Sequence, residues 1–242
     1  AVSEYCARFM AGFLGIPPNK IAVVPLGINV TGYERKPSAA ARNGEFRVGY
    51  FARLAPEKGL RLLAEAYVRF RRRTPQARAR LEAAGYLAPD HRAYMSEVRR
   101  TLDQAGLAGE FAYRGGRDRA GKLQLLRSLD VLSVPATYDE PKGMFLLEAM
   151  ASGVPVVEPR RGAFIEIVEK TGGGLLVEPD DSGSLAEGLD TLWHDRERAE
   201  KLGERALQGV RAHYTVAHSA ARLLEVYEEV LRPYEVAGSF QH

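Results

Sequence analysis

Residues 139–157 read DEPKGMFLLEAMASGVPVV, following one short apolar run at 131–134 and ending in another at 154–157. Helix-forming residues lie between a polar loop and Gly153, so the pattern predicts strand, loop, helix and strand. Glu140 falls in the loop and Glu148 on the helix, with Gly143 between them. A helix start presents unpaired N–H groups that suit a phosphate, and carboxylates accept hydrogen bonds from sugar hydroxyls. A nucleotide sugar carries both kinds of group.

Strand and helix signals alternate on both sides of this stretch. Such alternation favours parallel strands joined by right-handed crossovers. We therefore predict an α/β fold with an open parallel sheet, followed by helices in the last third of the chain. A helix at 1–13 and a short strand at 21–25 precede this sheet, and a polar, alanine-rich segment at 32–43 is typical of a linker. The strands of the sheet are predicted at 46–52, 79–84, 110–114, 131–134, 154–157 and 174–177.

Composition excludes several classes of protein. The 242 residues are 45% hydrophobic and 27% charged, and no apolar run approaches the roughly 20 residues that span a bilayer. Cys6 is the single cysteine, so an internal disulfide and a cysteine-based metal cluster are both excluded. The formal charge of +3 is too small to favour nucleic acid as a partner. We expect a soluble, cytoplasmic protein.

Two cations follow the strand predicted at 46–52. Arg53 and Lys58 lie at the strand end and the start of the next helix. Ligands of open parallel sheets bind beyond the carboxyl ends of the strands, so both cations are candidates to bind a pyrophosphate and to stabilise a departing diphosphate. With no Asp-x-Asp motif present, we predict no metal. The alternative is a solvated loop in which Lys58 pairs with Glu57 or Glu65. Spacing alone supports the phosphate-binding and solvated-loop interpretations about equally.

The two glutamates also have a structural alternative. Glu148 on an otherwise apolar helix would simply favour the helix dipole, but that explanation does not account for Glu140. A buried carboxylate needs partners, and a ribose diol supplies two donors for Glu148. Glu140, further out in the loop, is a candidate to hold hydroxyls of a transferred sugar.

Four segments together closely resemble the C-terminal half of group 1, family 4 glycosyltransferases. The resemblance extends over nearly the whole chain, and its most specific part is the pair of glutamates eight positions apart with the continuation that follows them. The segments are GYFARLAPEKG at 49–59, EPKGMFLLEAMASGVPVV at 140–157, Gly162 with Glu166, and GGLLVEP at 173–179.

The resemblance implies a GT-B fold, in which two Rossmann-like domains face each other across a cleft and the C-terminal one holds the donor. For this chain it therefore implies an α/β fold, a Rossmann-like doubly wound parallel sheet with C-terminal helices. It implies a retaining transferase that takes a hexose from a UDP-sugar or GDP-sugar and uses no cofactor. Carried over by position, the catalytic residues are Arg53, Lys58 and Glu140. Arg53 and Lys58 bind the diphosphate, Glu148 the ribose and Glu140 the sugar, and the backbone of Gly143, Met144 and Phe145 adds phosphate contacts.

The same resemblance divides the chain. Residues 1–43 correspond to the end of an N-terminal domain and the interdomain linker, 44–232 to the nucleotide-sugar-binding domain and 233–242 to a tail. The acceptor-binding domain is absent from this pattern, so we expect a fragment that is inactive alone and whose partners are the donor and its own N-terminal domain. The alternative is a non-catalytic nucleotide-binding subunit or regulatory module.

Some residues depart from the family pattern. Lys142 stands where an aromatic residue is common, and Glu158 with Arg160 and Arg161 replaces small residues; the resemblance gives these four no role. The run at 69–73 offers peripheral contact with an anionic membrane, although a basic helix end is usually solvated. Trp193 is expected to serve packing rather than sugar stacking. The histidines, including His194, His213 and His218, are expected at the surface.

Overall fold

Six parallel strands form a single sheet in the order β3-β2-β1-β4-β5-β6. The computed structural model describes residues 1–34 and 44–238, with side chains described up to Arg232. The strands are β1 (Phe46–Phe51), β2 (Ala79–Ala84), β3 (Phe111–Tyr113), β4 (Val131–Leu132), β5 (Val156–Pro159) and β6 (Gly174–Val177). All six were predicted, and the predicted Rossmann-like doubly wound sheet is confirmed.

Helices connect successive strands, and three more follow the sheet. Among the described residues they are α1 (Glu4–Leu14), α2 (Leu60–Arg73), α3 (Arg92–Gln104), α4 (Arg119–Ser128), α5 (Met144–Ala151), α6 (Ala163–Thr171), α7 (Ser182–His194), α8 (Arg196–His213) and α9 (Val216–Gly238). Short polar residues begin several of them. The Ser3 side chain accepts from the Cys6 N–H at α1, and Asp118 accepts from the Gly121 N–H at α4, as N-caps do.

The order in which the chain adds strands to the sheet reverses between β1 and β4: β2 and β3 lie on one side of β1, and β4, β5 and β6 lie on the other. Right-handed crossovers then place α2 and α3 on one face of the sheet and α5 and α6 on the other. The helix contacts agree, since α2 packs against α3 and α7, whereas α5 and α6 pack against α8. The buried strand residues Val48, Leu81, Val131 and Val156 form the centre of one continuous core. This reversal point is where ligands of such sheets bind, at the carboxyl edge of β1 and β4.

The strand predicted at 21–25 is wrong. The Val24 N–H donates to the Ala1 carbonyl at 2.8 Å, but Pro25 lacks an N–H and ends any ladder. The next β-type pairing along the described chain is an isolated parallel bridge between Ile28 and Thr215. This segment therefore lies as extended chain beside α1 and α9 rather than as a strand.

The predicted division into domains stays a prediction. Most of the predicted linker, residues 35–43, lies outside the described residues, as do residues 239–242 of the predicted tail. Helix α9 continues to Gly238, past residue 232 where the predicted domain ends.

Candidate functional site

The candidate site lies at the reversal point of the sheet. Strand β1 is followed by Arg53 and a short 3₁₀ turn, Pro56–Lys58, and β4 by the loop 133–143 that leads into α5. The Thr137 N–H donates to the Glu57 carbonyl at 2.9 Å and so joins the loop to the turn. Lys58 is thereby brought to the residues that follow β4.

Lys58 and Glu140 form an ion pair that is almost closed to solvent. The Lys58 Nζ lies 2.6 Å from the Glu140 Oε2, and the two side chains are 12% and 7% exposed. Both groups also hydrogen-bond the hydroxyl of Tyr138. The Lys58 ammonium further lies 4.9 Å from the centre of the Tyr138 ring and 5.5 Å from that of Phe145, within range of cation–π attraction. The alternative pairing of Lys58 with Glu57 or Glu65 is therefore wrong.

The pair stays charged at neutral pH. Burial lowers the pKa of Lys58, but its hydrogen bonds with Glu140 and Tyr138 outweigh burial and leave that pKa raised. Burial likewise raises the pKa of Glu140, and the Lys58 and Tyr138 hydrogen bonds reverse this, so the net pKa is lowered. The site thus presents a charged ammonium beside a charged carboxylate.

Arg53 does not join this pair. Its guanidinium lies 3.1 Å from the Glu57 carboxylate, and its side chain is 63% exposed. Exposed ion pairs of this kind contribute little to stability, so the guanidinium is free to turn toward a ligand at small cost. Of the two cations predicted to converge, the structure holds Lys58 in place and leaves Arg53 at the rim.

Glu148 has a lysine partner that the sequence did not reveal. The Lys122 Nζ lies 2.5 Å from the Glu148 Oε1, and both side chains are less than one-fifth exposed. Tyr33 is buried beside this pair, and burial together with the charge of Glu148 raises the pKa of its hydroxyl. Burial lowers the pKa of Lys122, and Glu148 more than compensates, so the ammonium stays protonated. The sequence does contain a signal that Lys122 faces the core side of its helix. Lys122 precedes Leu125 and Leu126 by three and four positions, so it shares their buried helix face.

The start of α5 lies between the two carboxylates in the sequence. Gly143 has φ 62° and precedes the helix without a side-chain cap, so the first-turn N–H groups at Met144 and Phe145 are not capped by a side chain. A Cβ at Gly143 would lie 2.7 Å from the Ile167 Cδ1, which favours glycine here. The Phe145 ring packs edge-on to Phe164 at 5.8 Å. The helix start therefore offers N–H groups and positive dipole charge to an anion.

Two other sequence features lie elsewhere. The Lys142 side chain lines a cavity of about 420 Å³ with Glu166 and Lys170, a cavity whose lining does not include Lys58. Within the run at 69–73, Arg71 is bonded to Glu110 at 2.9 Å and is only 11% exposed. That run is therefore partly structural, and membrane contact through it stays a prediction. Among the described residues, no helix has the length and apolar character needed to span a bilayer.

Fold and site together define a Rossmann-like domain with a ligand crevice at the strand-order reversal. Residues 34–209 match the family of glycosyl transferases group 1. The chain belongs to this family, and its fold is that of the C-terminal domain of GT-B glycosyltransferases.

Three comparisons illustrate the match. A D-inositol 3-phosphate glycosyltransferase from Nocardia farcinica is 29% identical over 231 residues, which cover 93% of this chain and 51% of that protein. The structure of Anabaena Alr3699/HepE in complex with UDP matches with a TM-score of 0.84 and 25% identity, over 95% of this chain and 63% of that one. The C-terminal domain of the group 1 protein LpcC from Francisella tularensis matches over its full length and 78% of this chain, with a TM-score of 0.69 and 24% identity. The chain thus spans about half the length of the curated relative.

Proposed function

We propose that this chain is the donor-binding part of a retaining glycosyltransferase that transfers a hexose from UDP-sugar or GDP-sugar. The observation that carries the proposal is the placement of two lysine–glutamate pairs, Lys58–Glu140 and Lys122–Glu148, on the elements that surround the start of α5. Each pair combines a cation for phosphate oxygens with a carboxylate for hydroxyl groups.

The order of these groups suits the order of groups in the ligand. The diphosphate takes the first-turn N–H groups of α5 together with Lys58, and Arg53 turns in from the rim. Glu148, whose carboxylate is bonded to Lys122, accepts from the ribose hydroxyls. Glu140, in the loop before α5, accepts from the hydroxyls of the sugar. That the UDP-bound HepE structure resembles this chain supports a nucleotide ligand.

The chemical role of the site is to stabilise the leaving group. As the bond between sugar and diphosphate breaks, negative charge grows on the diphosphate, and fixed cations that bind this charge more strongly than the ground state accelerate the reaction. Lys58 is held for this task by Tyr138 and Glu140. Arg53 adds a second, mobile cation.

We further propose that acceptor binding belongs to a second domain. The chain covers 51% of the Nocardia relative, whereas the LpcC C-terminal domain is matched over the whole length of that domain. Helix α1 presents Tyr5, Phe9 and Phe13 as stacked rings 6.3 Å apart, with Phe9 57% and Phe13 75% exposed. Exposed aromatic rows of this kind favour contact with another protein surface.

Calorimetry on the purified chain tests the proposal. We expect binding of UDP or GDP and of the corresponding sugar nucleotide, and no sugar transfer by this chain alone. Absence of binding to UDP, GDP and ADP would overturn the proposed donor site. Robust transfer, with contaminating enzyme excluded by the inactivity of a Lys58→Met preparation, would overturn the requirement for a second domain.

A further inference from the structure

Glu158, at the end of β5, is a fully buried carboxyl group in an otherwise apolar strand. Its neighbours Val156 and Val157 are equally buried, so a leucine would suit the position better on hydrophobicity alone. The Glu158 Oε1 accepts from the Val134 N–H at 2.9 Å, and the Oε2 has no hydrogen-bond partner among the described residues. Val134 lies near the start of the loop 133–143 that carries Tyr138 and Glu140.

Arg161, three residues later, holds the same loop further along. Its Nη1 donates to the Ala136 carbonyl at 3.3 Å, and its Nε lies 3.9 Å from the Asp139 carboxylate. The guanidinium is fixed by Asp180, whose two oxygens lie 3.1 and 2.5 Å from the two terminal nitrogens. A bidentate pair of this kind sets the plane of the guanidinium as well as its position.

Asp180 is itself in an unusual conformation. Among the described residues it is the one non-glycine residue with positive φ, at 58°. Aspartate tolerates this region better than most residues, and backbone strain of this kind persists where surrounding contacts maintain it. Arg161 therefore connects the loops that follow β4, β5 and β6 at the edge of the sheet where the donor is proposed to bind.

The backbone between these two side chains and α6 also meets the loop. The Ala163 N–H donates to the Glu140 carbonyl at 2.8 Å, and a Cβ on Gly162 would lie 2.5 Å from that same oxygen. The segment 158–163 thus contacts the loop near its start, in its middle and at Glu140 itself. Packing alone would not need two charged side chains on one side of this segment.

We propose that Glu158 and Arg161 are positioning residues that hold the loop 133–143 so that Tyr138, Glu140 and Lys58 meet the diphosphate and sugar of the donor; this rests on the proposed function. Neither residue touches the donor. They act through the Val134 N–H and the Ala136 carbonyl. Burial raises the pKa of Glu158 well above its usual range, which agrees with a neutral acid at this position.

Four variants of the 242-residue chain test this inference. Glu158→Leu removes the acceptor for the Val134 N–H, while Glu158→Gln keeps an acceptor and stays neutral. Arg161→Met keeps the aliphatic stem and removes the guanidinium. Arg160→Met is the matched control, because Arg160 is 52% exposed and pairs with Glu169 on the surface. Thermal unfolding first establishes that each variant is folded.

The measurements are calorimetric affinities for UDP-glucose and UMP, and hydrogen exchange of the Val134 amide by NMR. We expect Glu158→Leu and Arg161→Met to lose about tenfold in UDP-glucose affinity, since small misplacements of binding groups are costly. UMP, which lacks the second phosphate and the sugar, should change by less than about twofold, whereas a general loss of structure would weaken both ligands alike. Glu158→Gln and Arg160→Met should resemble the wild type, and protection of the Val134 amide should fall in Glu158→Leu alone.

Equal affinities of Arg161→Met and Arg160→Met for UDP-glucose would overturn the inference. Retained protection of the Val134 amide in Glu158→Leu, or failure of Glu158→Gln to restore it, would do the same. A wild-type chain that binds neither UDP-glucose nor UMP, nor GDP or ADP, would instead overturn the proposed function. In that case the amide exchange of the Glu158 variants still decides whether Glu158 holds the loop.

Discussion

The Lys58 Nζ lies 2.6 Å from the Glu140 Oε2, although the two residues are 82 positions apart in the chain. An ammonium has three N–H donors, and here Glu140 and Tyr138 engage two of them. One donor therefore remains for a phosphate oxygen without breaking the pair. The protein holds its cation in place before the ligand arrives, which lowers the cost of ordering it on binding.

Lys58→Met should weaken UDP binding strongly. Hydrogen bonds to charged groups contribute about 1.5–3 kcal/mol, which corresponds to a loss of roughly 10- to 150-fold in affinity. Calorimetry with UDP measures this change. The control is Lys201→Met, which removes a surface lysine 62% exposed and paired with Glu197 on α8. Undiminished UDP affinity in Lys58→Met, with the control unchanged, would remove Lys58 from the diphosphate site.

Glu140→Gln should destabilise the protein at neutral pH and less so in acid. The folded pKa of Glu140 is lowered, so its contribution is present above the unfolded pKa of about 4.3 and is lost as the pH falls through the lower folded pKa. We expect a loss of about 1–3 kcal/mol at pH 7 that shrinks toward pH 3. Urea unfolding of both proteins between pH 7 and pH 3 measures it. A difference independent of pH would show that the carboxylate charge is not what stabilises this pair.

Glu158→Gln should have the opposite effect on stability. The folded pKa of Glu158 is raised, so the folded state binds a proton that the unfolded state releases above about pH 4.3, and wild-type stability falls as the pH rises. Glutamine carries no such penalty. Relative to the wild type, the free energy of unfolding of the variant should rise by up to about 1.4 kcal/mol per pH unit above pH 4.3, until the folded pKa of Glu158 is reached.

The same series of urea unfolding curves gives this comparison, with Glu97→Gln, an exposed change on α3, as the control. A stability difference between wild type and Glu158→Gln that stays flat from pH 4 to pH 8 would contradict a neutral Glu158.

Glu148→Ala should abolish discrimination for the ribose hydroxyls. In the wild type, UDP should bind about tenfold more tightly than its 2′,3′-dideoxy analogue, since Glu148 accepts hydrogen bonds from the diol that the analogue lacks. In the variant the two ligands should bind alike. Calorimetry with both ligands on both proteins forms a complete cycle. A preference for UDP that survives in Glu148→Ala would place the ribose elsewhere.

Local sequence patterns predicted the sheet because each strand and helix carries its own signal. The stretch around Glu140 and Glu148 has a strand, glycines and a helix within some thirty residues, and every one of these elements was confirmed. The short strand at 21–25 was wrong for a non-local reason, because an apolar run becomes a strand only where a neighbour offers a ladder. Here the Val24 N–H donates to the Ala1 carbonyl, and Pro25, which lacks an N–H, ends the pairing.

The partners of the site residues were harder to predict than the residues themselves. Lys58 and Glu140 were each identified, yet their pairing depends on β1 and β4 being neighbours in the sheet, which spacing in the sequence does not encode. Lys122 escaped notice because one lysine on an amphipathic helix usually faces solvent. Glu158 and Arg161 stood out as departures from the family pattern, and only the hydrogen bonds to Val134 and Ala136 indicate what they hold.

Trp193→Ala should lower stability and leave ligand binding unchanged. The indole packs on Phe46 and Phe70, with ring centres 5.7 and 6.5 Å away, and the Arg196 guanidinium lies 4.3 Å from it. Phe46 begins β1, so this cluster lies at the opposite end of that strand from the site. Truncating a large aromatic residue in such a cluster costs about 3 kcal/mol, and Trp193→Phe should cost less. Urea unfolding gives the free energies and calorimetry with UDP the affinity. Reduced UDP affinity in folded Trp193→Ala, with Trp193→Phe unaffected, would mean that the indole contributes to the donor site and not to packing alone.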